Sequence, residues 1–105
     1  MAWVYLFLAG ICEIGWPLGL KLGWTNAGLR PGWILFAVVA MGASGALLMW
    51  AQRVIPMGTA YAIWTGIGAV GAFVVGILAF GDAASTMRIA SILLIVAGIV
   101  GLRLA

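Results

Sequence analysis

Charged side chains are so rare and so widely spaced in this sequence that few folds are open to it. The 105 residues include five Lys/Arg, two Asp/Glu and no His, which is 7% charged, while 67% are hydrophobic. A soluble domain needs about 25% charged residues to cover its surface, and disordered chains are rich in charge and poor in apolar residues. The composition excludes both classes and predicts an integral membrane protein.

The few charges divide the chain into four long apolar segments. A membrane-spanning helix needs about 20 apolar residues, and continuous apolar runs favour helices over the alternating pattern of a β-barrel. We therefore predict an all-α protein with four transmembrane helices in a single transmembrane domain, residues 1–105. The helices are predicted at about residues 2–21, 32–53, 57–80 and 86–104. Between Lys21 and Arg30, the turn residues Asn26 and Gly28 predict a loop.

The positive charges give the chain no clear orientation in the membrane. If the N-terminus is cytoplasmic, Arg53 and Arg103 lie inside, while Lys21, Arg30 and Arg88 lie outside. Because the Lys/Arg bias sets orientation, this near-tie predicts insertion in both directions, a dual topology from which an antiparallel pair can form. The alternative is that details of translocation break the tie.

Glu13 is the only charge deep within an apolar segment, and the functional hypothesis starts from it. A carboxylate at that depth costs at least about 2.5 kcal/mol, so it normally faces a bundle interior or a water-filled cavity and needs a partner. No Lys or Arg lies within an apolar segment, so the partner is a proton or a cation from outside. A group that holds one or the other is the minimum for proton-coupled antiport. The alternative is a permanently protonated Glu13 that hydrogen-bonds between helices.

Aromatic residues are spaced to share helix faces with Glu13 or with each other. Trp16 follows Glu13 by three residues and lies on its face. Pro17 follows by four and has no N–H for the Glu13 carbonyl, which predicts a kink or a hydrated spot. On the third helix Tyr61 and Trp64 share a face, and aromatic faces attract cations. The alternative for these two is a belt at the membrane interface.

Small and hydroxyl residues inside the helices carry three further predictions. Ser44 lies in the middle of the second helix, where its hydroxyl either joins polar groups of another helix or bonds back to its own. Gly66 and Gly68 weaken the third helix and predict a bend. Ser91 and Gly98, seven residues apart on the fourth helix, line one face where small residues allow close helix packing, within one subunit or between two.

Two segments resemble the small multidrug resistance family. The segment Pro56–Gly68, PMGTAYAIWTGIG, resembles the third-helix motif of that family, and Ala9–Glu13, AGICE, resembles its first-helix motif. The similarity extends over essentially the whole chain. Members of this family are four-helix antiporters that work as antiparallel dimers, in which the first-helix Glu of both subunits binds substrate or protons in turn.

The resemblance implies a role for each candidate residue. It makes Glu13 the exchanging carboxylate. It implies that Tyr61 and Trp64 line the pocket and that Gly66 and Gly68 form the helix bend. It also implies that Ser91 and Gly98 make the dimer contact between the fourth helices. Many members have Gly where this chain has Ser91, which implies a slightly looser contact.

Trp16 and Ser44 resemble the guanidinium-exporter subtype of the family, whereas drug-exporting members usually have a small residue at the position of Trp16. Guanidinium is planar and makes bidentate hydrogen bonds to a carboxylate. Such a site needs donors that hold Glu13 in one orientation, and Trp16, Ser44 and Trp64 are candidates. Pro17 departs from the subtype, which usually has a small non-proline residue there, so the resemblance does not define the local helix geometry or the width of the substrate.

These observations together predict a transporter and not an enzyme. We expect a proton-coupled antiporter that exports guanidinium-type cations across the bacterial cytoplasmic (inner) membrane, as an antiparallel homodimer or as a heterodimer with a close paralogue. One Cys, no His and no basic stretch predict no catalytic residue, metal, cofactor or nucleic-acid partner. The alternatives are a broader quaternary-ammonium or drug exporter of the same family, a small dimeric ion channel, and an accessory membrane subunit with a neutral Glu13.

Overall fold

The computed structural model describes residues Met1–Ala105 and contains four long helices and one short hairpin. The helices are α1 (Ala2–Gly23), α2 (Pro31–Ala51), α3 (Met57–Phe80) and α4 (Thr86–Leu104). Between α1 and α2 lies an antiparallel pair of strands, β1 (Trp24–Thr25) and β2 (Gly28–Leu29). All four helices are long and apolar enough to cross a membrane. The prediction of an all-α protein with four membrane-spanning helices is confirmed.

The first two helices end at different residues from those predicted. α1 continues past Lys21 to Gly23, because a Lys in the last turn interacts favourably with the helix C-terminus and does not stop the helix. α2 begins one residue earlier than predicted and ends at Ala51, before Arg53. The chain then turns towards Pro56, whose ring disfavours helical backbone at the preceding residue.

The segment between α1 and α2, predicted as a loop, forms a small hairpin. Thr25 pairs with Gly28, and the Thr25 hydroxyl accepts the N–H of Ala27 at 3.2 Å, which closes the turn around Asn26. Gly28 has a φ of +110°, a backbone conformation that glycine adopts without strain. The turn residues therefore mark the turn correctly, while strands of two residues are too short to produce a recognisable sequence pattern.

α1 packs against α2 along a row of glycines. Gly15, Gly19 and Gly23 recur every four residues, and a Cβ built on Gly19 would lie 2.9 Å from the Ala37 Cβ. Gly23 meets Ile34, an earlier residue of α2, so the two helices run antiparallel. Small residues at this spacing let helix backbones approach closely in a membrane.

α3 packs on the other side of α1 and runs parallel to it. Gly10 of α1 receives the side chain of Ile67, and further along Gly71 of α3 receives that of Ile14. Between these two contacts lies Glu13, so its side chain projects where α1 is flanked by α2 on one side and α3 on the other.

α4 packs mainly on α3 and touches α1 near its own C-terminal end. Gly66 of α3 contacts the side chains of Ile95 and Ile99, and the Arg103 guanidinium lies 4.4 Å from the centre of the Trp3 ring. No residue of α4 is buried. The outer face of α4 is therefore available to lipid or to another protein chain.

Candidate functional site

Glu13 is half-buried and fits against a glycine of α3. A Cβ built on Gly68 would lie 2.6 Å from the Glu13 Cγ and 3.1 Å from its Cβ. No larger residue fits at position 68 unless the Glu13 side chain moves. Gly68 thus provides the space that the stem of the carboxylate occupies.

Both carboxylate oxygens of Glu13 have a nearby hydrogen-bond donor. The indole N–H of Trp16, one turn along α1, donates to Oε1, and the Ser44 hydroxyl lies 3.3 Å from Oε2. Every Lys and Arg lies in the first or last turn of a helix or outside the helices. The carboxylate is therefore oriented by neutral donors, and none of the protein's cations is beside it to balance its charge.

Ser44 is fully buried and links three helices. Its oxygen accepts the indole N–H of Trp64 at 2.8 Å and lies 2.7 Å from the Ala9 carbonyl oxygen. A hydroxyl has one hydrogen, so Ser44 donates to Ala9 or to Glu13 but not to both. Ser44 thus bonds across to α1 rather than back to its own helix, which decides between the two interpretations of this residue.

Tyr61 is outside this hydrogen-bonded group. Its ring packs against Trp64 with centroids 5.4 Å apart and planes tilted by 53°, and the residue is 55% exposed. The hydrogen bonds of the group join Trp16, Ser44 and Trp64 with Glu13 and Ala9 and do not include the Tyr61 hydroxyl. Of the five predicted binding residues, the structure brings four together, and the ring of the fifth, Tyr61, packs at a tilt against Trp64.

Residues 1–95 match the family model described as Small Multidrug Resistance protein. The chain belongs to the small multidrug resistance family. It is also 50% identical over 105 residues to proteins named Guanidinium exporter from Salmonella typhimurium (strain LT2), Citrobacter freundii and Escherichia coli (strain K12). The match covers 100% of this chain and 98% of each relative. The resemblance found in the two motifs is confirmed, and this family member is a multi-pass membrane protein.

Of the residues predicted to form the helix bend, Gly68 packs against Glu13 and Gly66 packs against α4. α3 is continuous through Gly66 and Gly68, and the bend stays a prediction. The Ser91 hydroxyl donates to the Met87 carbonyl of its own helix at 2.8 Å, and a Cβ built on Gly98 would meet nothing within 4 Å. Both α4 residues are exposed, so this face has room for a partner.

Two features of the site were not predicted from the sequence: the Ala9 carbonyl as a partner of Ser44, and Gly68 as the residue that makes room for Glu13. Ala9 precedes Glu13 by four residues, so the sequence alone places it on the same helix face. The contact with Ser44 depends on how α1 and α2 pack. The structure contains no group of three or more His, Cys, Asp or Glu side chains that could hold a metal ion.

Proposed function

We propose that this protein exports guanidinium-type cations in exchange for protons, and that Glu13 is the exchanging group. The observation that carries this proposal is the half-buried Glu13 carboxylate, which has donors at both oxygens and no cation of the protein beside it. The relatives named Guanidinium exporter support the choice of substrate. The activity is transport, without a covalent step.

The chemistry of the site favours guanidinium over a fully alkylated ammonium ion. A planar guanidinium offers paired N–H donors that match the two oxygens of a carboxylate. Trp16 donates to one oxygen of the Glu13 carboxylate and the Ser44 hydroxyl lies beside the other. The rings of Trp64 and Tyr61 offer aromatic faces to a cation. Because a charged carboxylate is costly at this depth, Glu13 is balanced by a proton or by a substrate cation, and this competition couples the two fluxes.

The working unit in this proposal is an antiparallel dimer in the bacterial inner membrane, each subunit a single transmembrane domain over residues 1–105. The absence of buried residues on α4 and the even distribution of Lys and Arg between the two sides support it. The partner is a second copy of this chain or a close paralogue, and the contact is made at Ser91 and Gly98. Transport is then an exchange between two equivalent states, one open to each side.

Gly98→Leu tests the dimer contact. The subunit itself has room for this side chain, so we expect the isolated subunit to fold normally. A partner helix packed at this position does not have room, and overpacking typically costs about 1–3 kcal/mol, so dimer affinity in bilayers should fall roughly 10- to 100-fold. Fluorescence energy transfer between labelled subunits measures it.

The matched control is Ala97→Leu, which adds the same side chain at an exposed α4 position about 100° around the helix from Gly98. We expect this variant to dimerise like the wild type. Equal dimer affinity for Gly98→Leu and the wild type would show that the dimer contact is not made at position 98.

Electrical recording on proteoliposomes tests the transport mechanism. A transient current evoked by guanidinium, together with uptake driven by a pH gradient, is the expected result. Steady ion conduction would favour the small dimeric channel instead. The absence of a current with every cation tested would favour an accessory subunit. Tetraalkylammonium currents larger than the guanidinium current would favour the broader quaternary-ammonium exporter.

Ser44→Ala is expected to weaken guanidinium binding roughly 10- to 100-fold, since it removes a donor near Glu13 and leaves the Trp64 N–H without an acceptor. Quenching of tryptophan fluorescence during a guanidinium titration measures the affinity. The control is Thr86→Ala, which removes a hydroxyl from an exposed position at the start of α4 and should leave affinity unchanged. Equal affinities in both variants would exclude Ser44 from the site.

A further inference from the structure

A cleft of about 220 Å³ lies between α1, α3 and α4, at the end of the bundle where α1 begins and α4 ends. Six of the seven side chains that line it are hydrophobic, and the seventh is that of Arg103. Phe7, in the α1 wall, is 56% exposed, so the cleft is open to the surroundings of the bundle. Those surroundings are lipid, because the cleft lies between membrane-spanning helices.

Arg103 lies over an aromatic ring and keeps donors for another group. Its guanidinium is 4.4 Å from the centre of the Trp3 ring, and a contact with an aromatic face leaves most of the five N–H donors of a guanidinium unused. The side-chain hydrogen bonds of the structure do not include this guanidinium. The C-terminus of α4 favours a nearby cation, but that effect does not require the side chain to lie over Trp3.

No acidic side chain lies at this end of the bundle. α1 and α3 begin there and α4 ends there, so Arg103 and Arg53, in the turn before α3, are its charged side chains. Glu13 is in the middle of α1, and Asp82 precedes α4, roughly 25 Å away along that helix. The two chain termini also lie at this end, and their opposite charges offset each other. This end is therefore positively charged and complementary to an anionic membrane surface.

We propose that the cleft binds an anionic phospholipid, with an acyl chain among the hydrophobic side chains and the phosphate at Arg103. A guanidinium binds a phosphate with paired N–H donors, and an acyl chain matches the apolar lining. A free phosphate gains nothing from that lining, and a zwitterionic headgroup brings a second cation towards Arg103. The bound lipid fills the gap between α1 and α4. This inference goes beyond the proposed function and does not depend on the role of Glu13.

The cleft is separate from the proposed dimer contact. Gly98 precedes Arg103 by five residues, which places the two about 140° apart around α4. Another wall of the cleft is formed by Ile63 and Ile67 of α3, and Ile67 packs on Gly10 of α1. A second copy of the chain that pairs through Gly98 therefore leaves this cleft to lipid.

The indole N–H groups provide the reporters for a test. The chain has six Trp, so ¹⁵N-labelled tryptophan gives six indole NMR peaks, and the peak missing from Trp3→Phe belongs to Trp3. Phosphatidylglycerol is titrated into phosphatidylcholine bicelles that contain the protein. We expect the Trp3 peak to move and saturate. Trp50 is 51% exposed at the same end of the bundle, and its peak should stay in place.

Arg103→Gln should raise the phosphatidylglycerol fraction at the midpoint of the Trp3 shift about fivefold, as expected for the loss of one cation at an anionic surface. The matched control is Arg53→Gln, which removes the same charge from the same end of the bundle and should change the midpoint less than twofold. Unchanged peaks of Trp16 and Trp64, whose N–H groups bond to Glu13 and Ser44, show that the variants keep the helix packing.

Three outcomes would overturn the lipid site. A Trp3 peak that phosphatidylglycerol does not move excludes it. Equal effects of Arg103→Gln and Arg53→Gln, or equal movement of the Trp3 and Trp50 peaks, would show a general attraction to the membrane surface. A Trp3 peak that moves with the protein-to-lipid ratio, and not with the phosphatidylglycerol fraction, would assign the cleft to a second copy of the chain. None of these outcomes depends on guanidinium transport, so the exporter proposal is tested separately.

Discussion

Glu13→Gln is expected to reduce guanidinium uptake driven by a pH gradient to the level of liposomes without protein. The amide keeps the volume of the side chain, and its oxygen still accepts the Trp16 N–H, so the helix packing should persist. An amide neither takes up a proton near neutral pH nor neutralises a cation. Both halves of the exchange are therefore lost. Uptake of radiolabelled guanidinium into proteoliposomes measures the effect.

The chain provides one matched control, because Asp82 is its only other acidic residue. Asp82 is exposed in the segment that follows α3, outside the hydrogen-bonded group at Glu13. Asp82→Asn should leave uptake within about twofold of the wild type, as expected for a surface substitution. Proton-driven guanidinium uptake retained by Glu13→Gln would refute the exchange at this carboxylate. Loss of uptake in Asp82→Asn would contradict an exchange that uses one acidic residue per subunit.

The four-helix architecture was predictable from the sequence because it depends on local properties. Apolar segments long enough to cross a bilayer, with Lys and Arg near their ends, specify helices whatever their neighbours are. The exact ends were less predictable. Lys21 lies inside the last turn of α1 although a charge suggested an end there, and the turn before Pro56 shortens α2.

The site was predictable where one helix decides it and unpredictable where two helices meet. Trp16 reaches Glu13 because residues three apart share a helix face, and the same rule places Tyr61 beside Trp64. The contact between Ser44 and the Ala9 carbonyl depends on the register between α1 and α2, which the periodicity of either helix alone does not define. The role of Tyr61 in the pocket stays a prediction, because how close its ring comes to the carboxylate depends on how α3 is rotated against α1.

Gly68→Ala is expected to reduce guanidinium transport by about 100-fold while the protein stays folded. The new Cβ would lie 2.6 Å from the Glu13 Cγ, so the Glu13 side chain must move away from its donors. A displacement of about 1 Å at a reacting or binding group costs about 100-fold. The side chain is flexible and moves at low cost, and alanine also favours helix by about 1 kcal/mol over glycine. Thermal unfolding should therefore change little, in contrast to transport.

Gly58→Ala is the matched control on the same helix. It makes the same chemical change in the first turn of α3, where a Cβ meets nothing within 4 Å, so transport should equal that of the wild type. If both variants lose transport equally, the glycines of α3 are needed for the flexibility of that helix and not to leave space for Glu13. A functional bend at Gly66 and Gly68 would require such flexibility. If only Gly68→Ala loses transport and remains stable, the role of position 68 is to leave room for the carboxylate, because the same gain in helix propensity is harmless ten residues earlier.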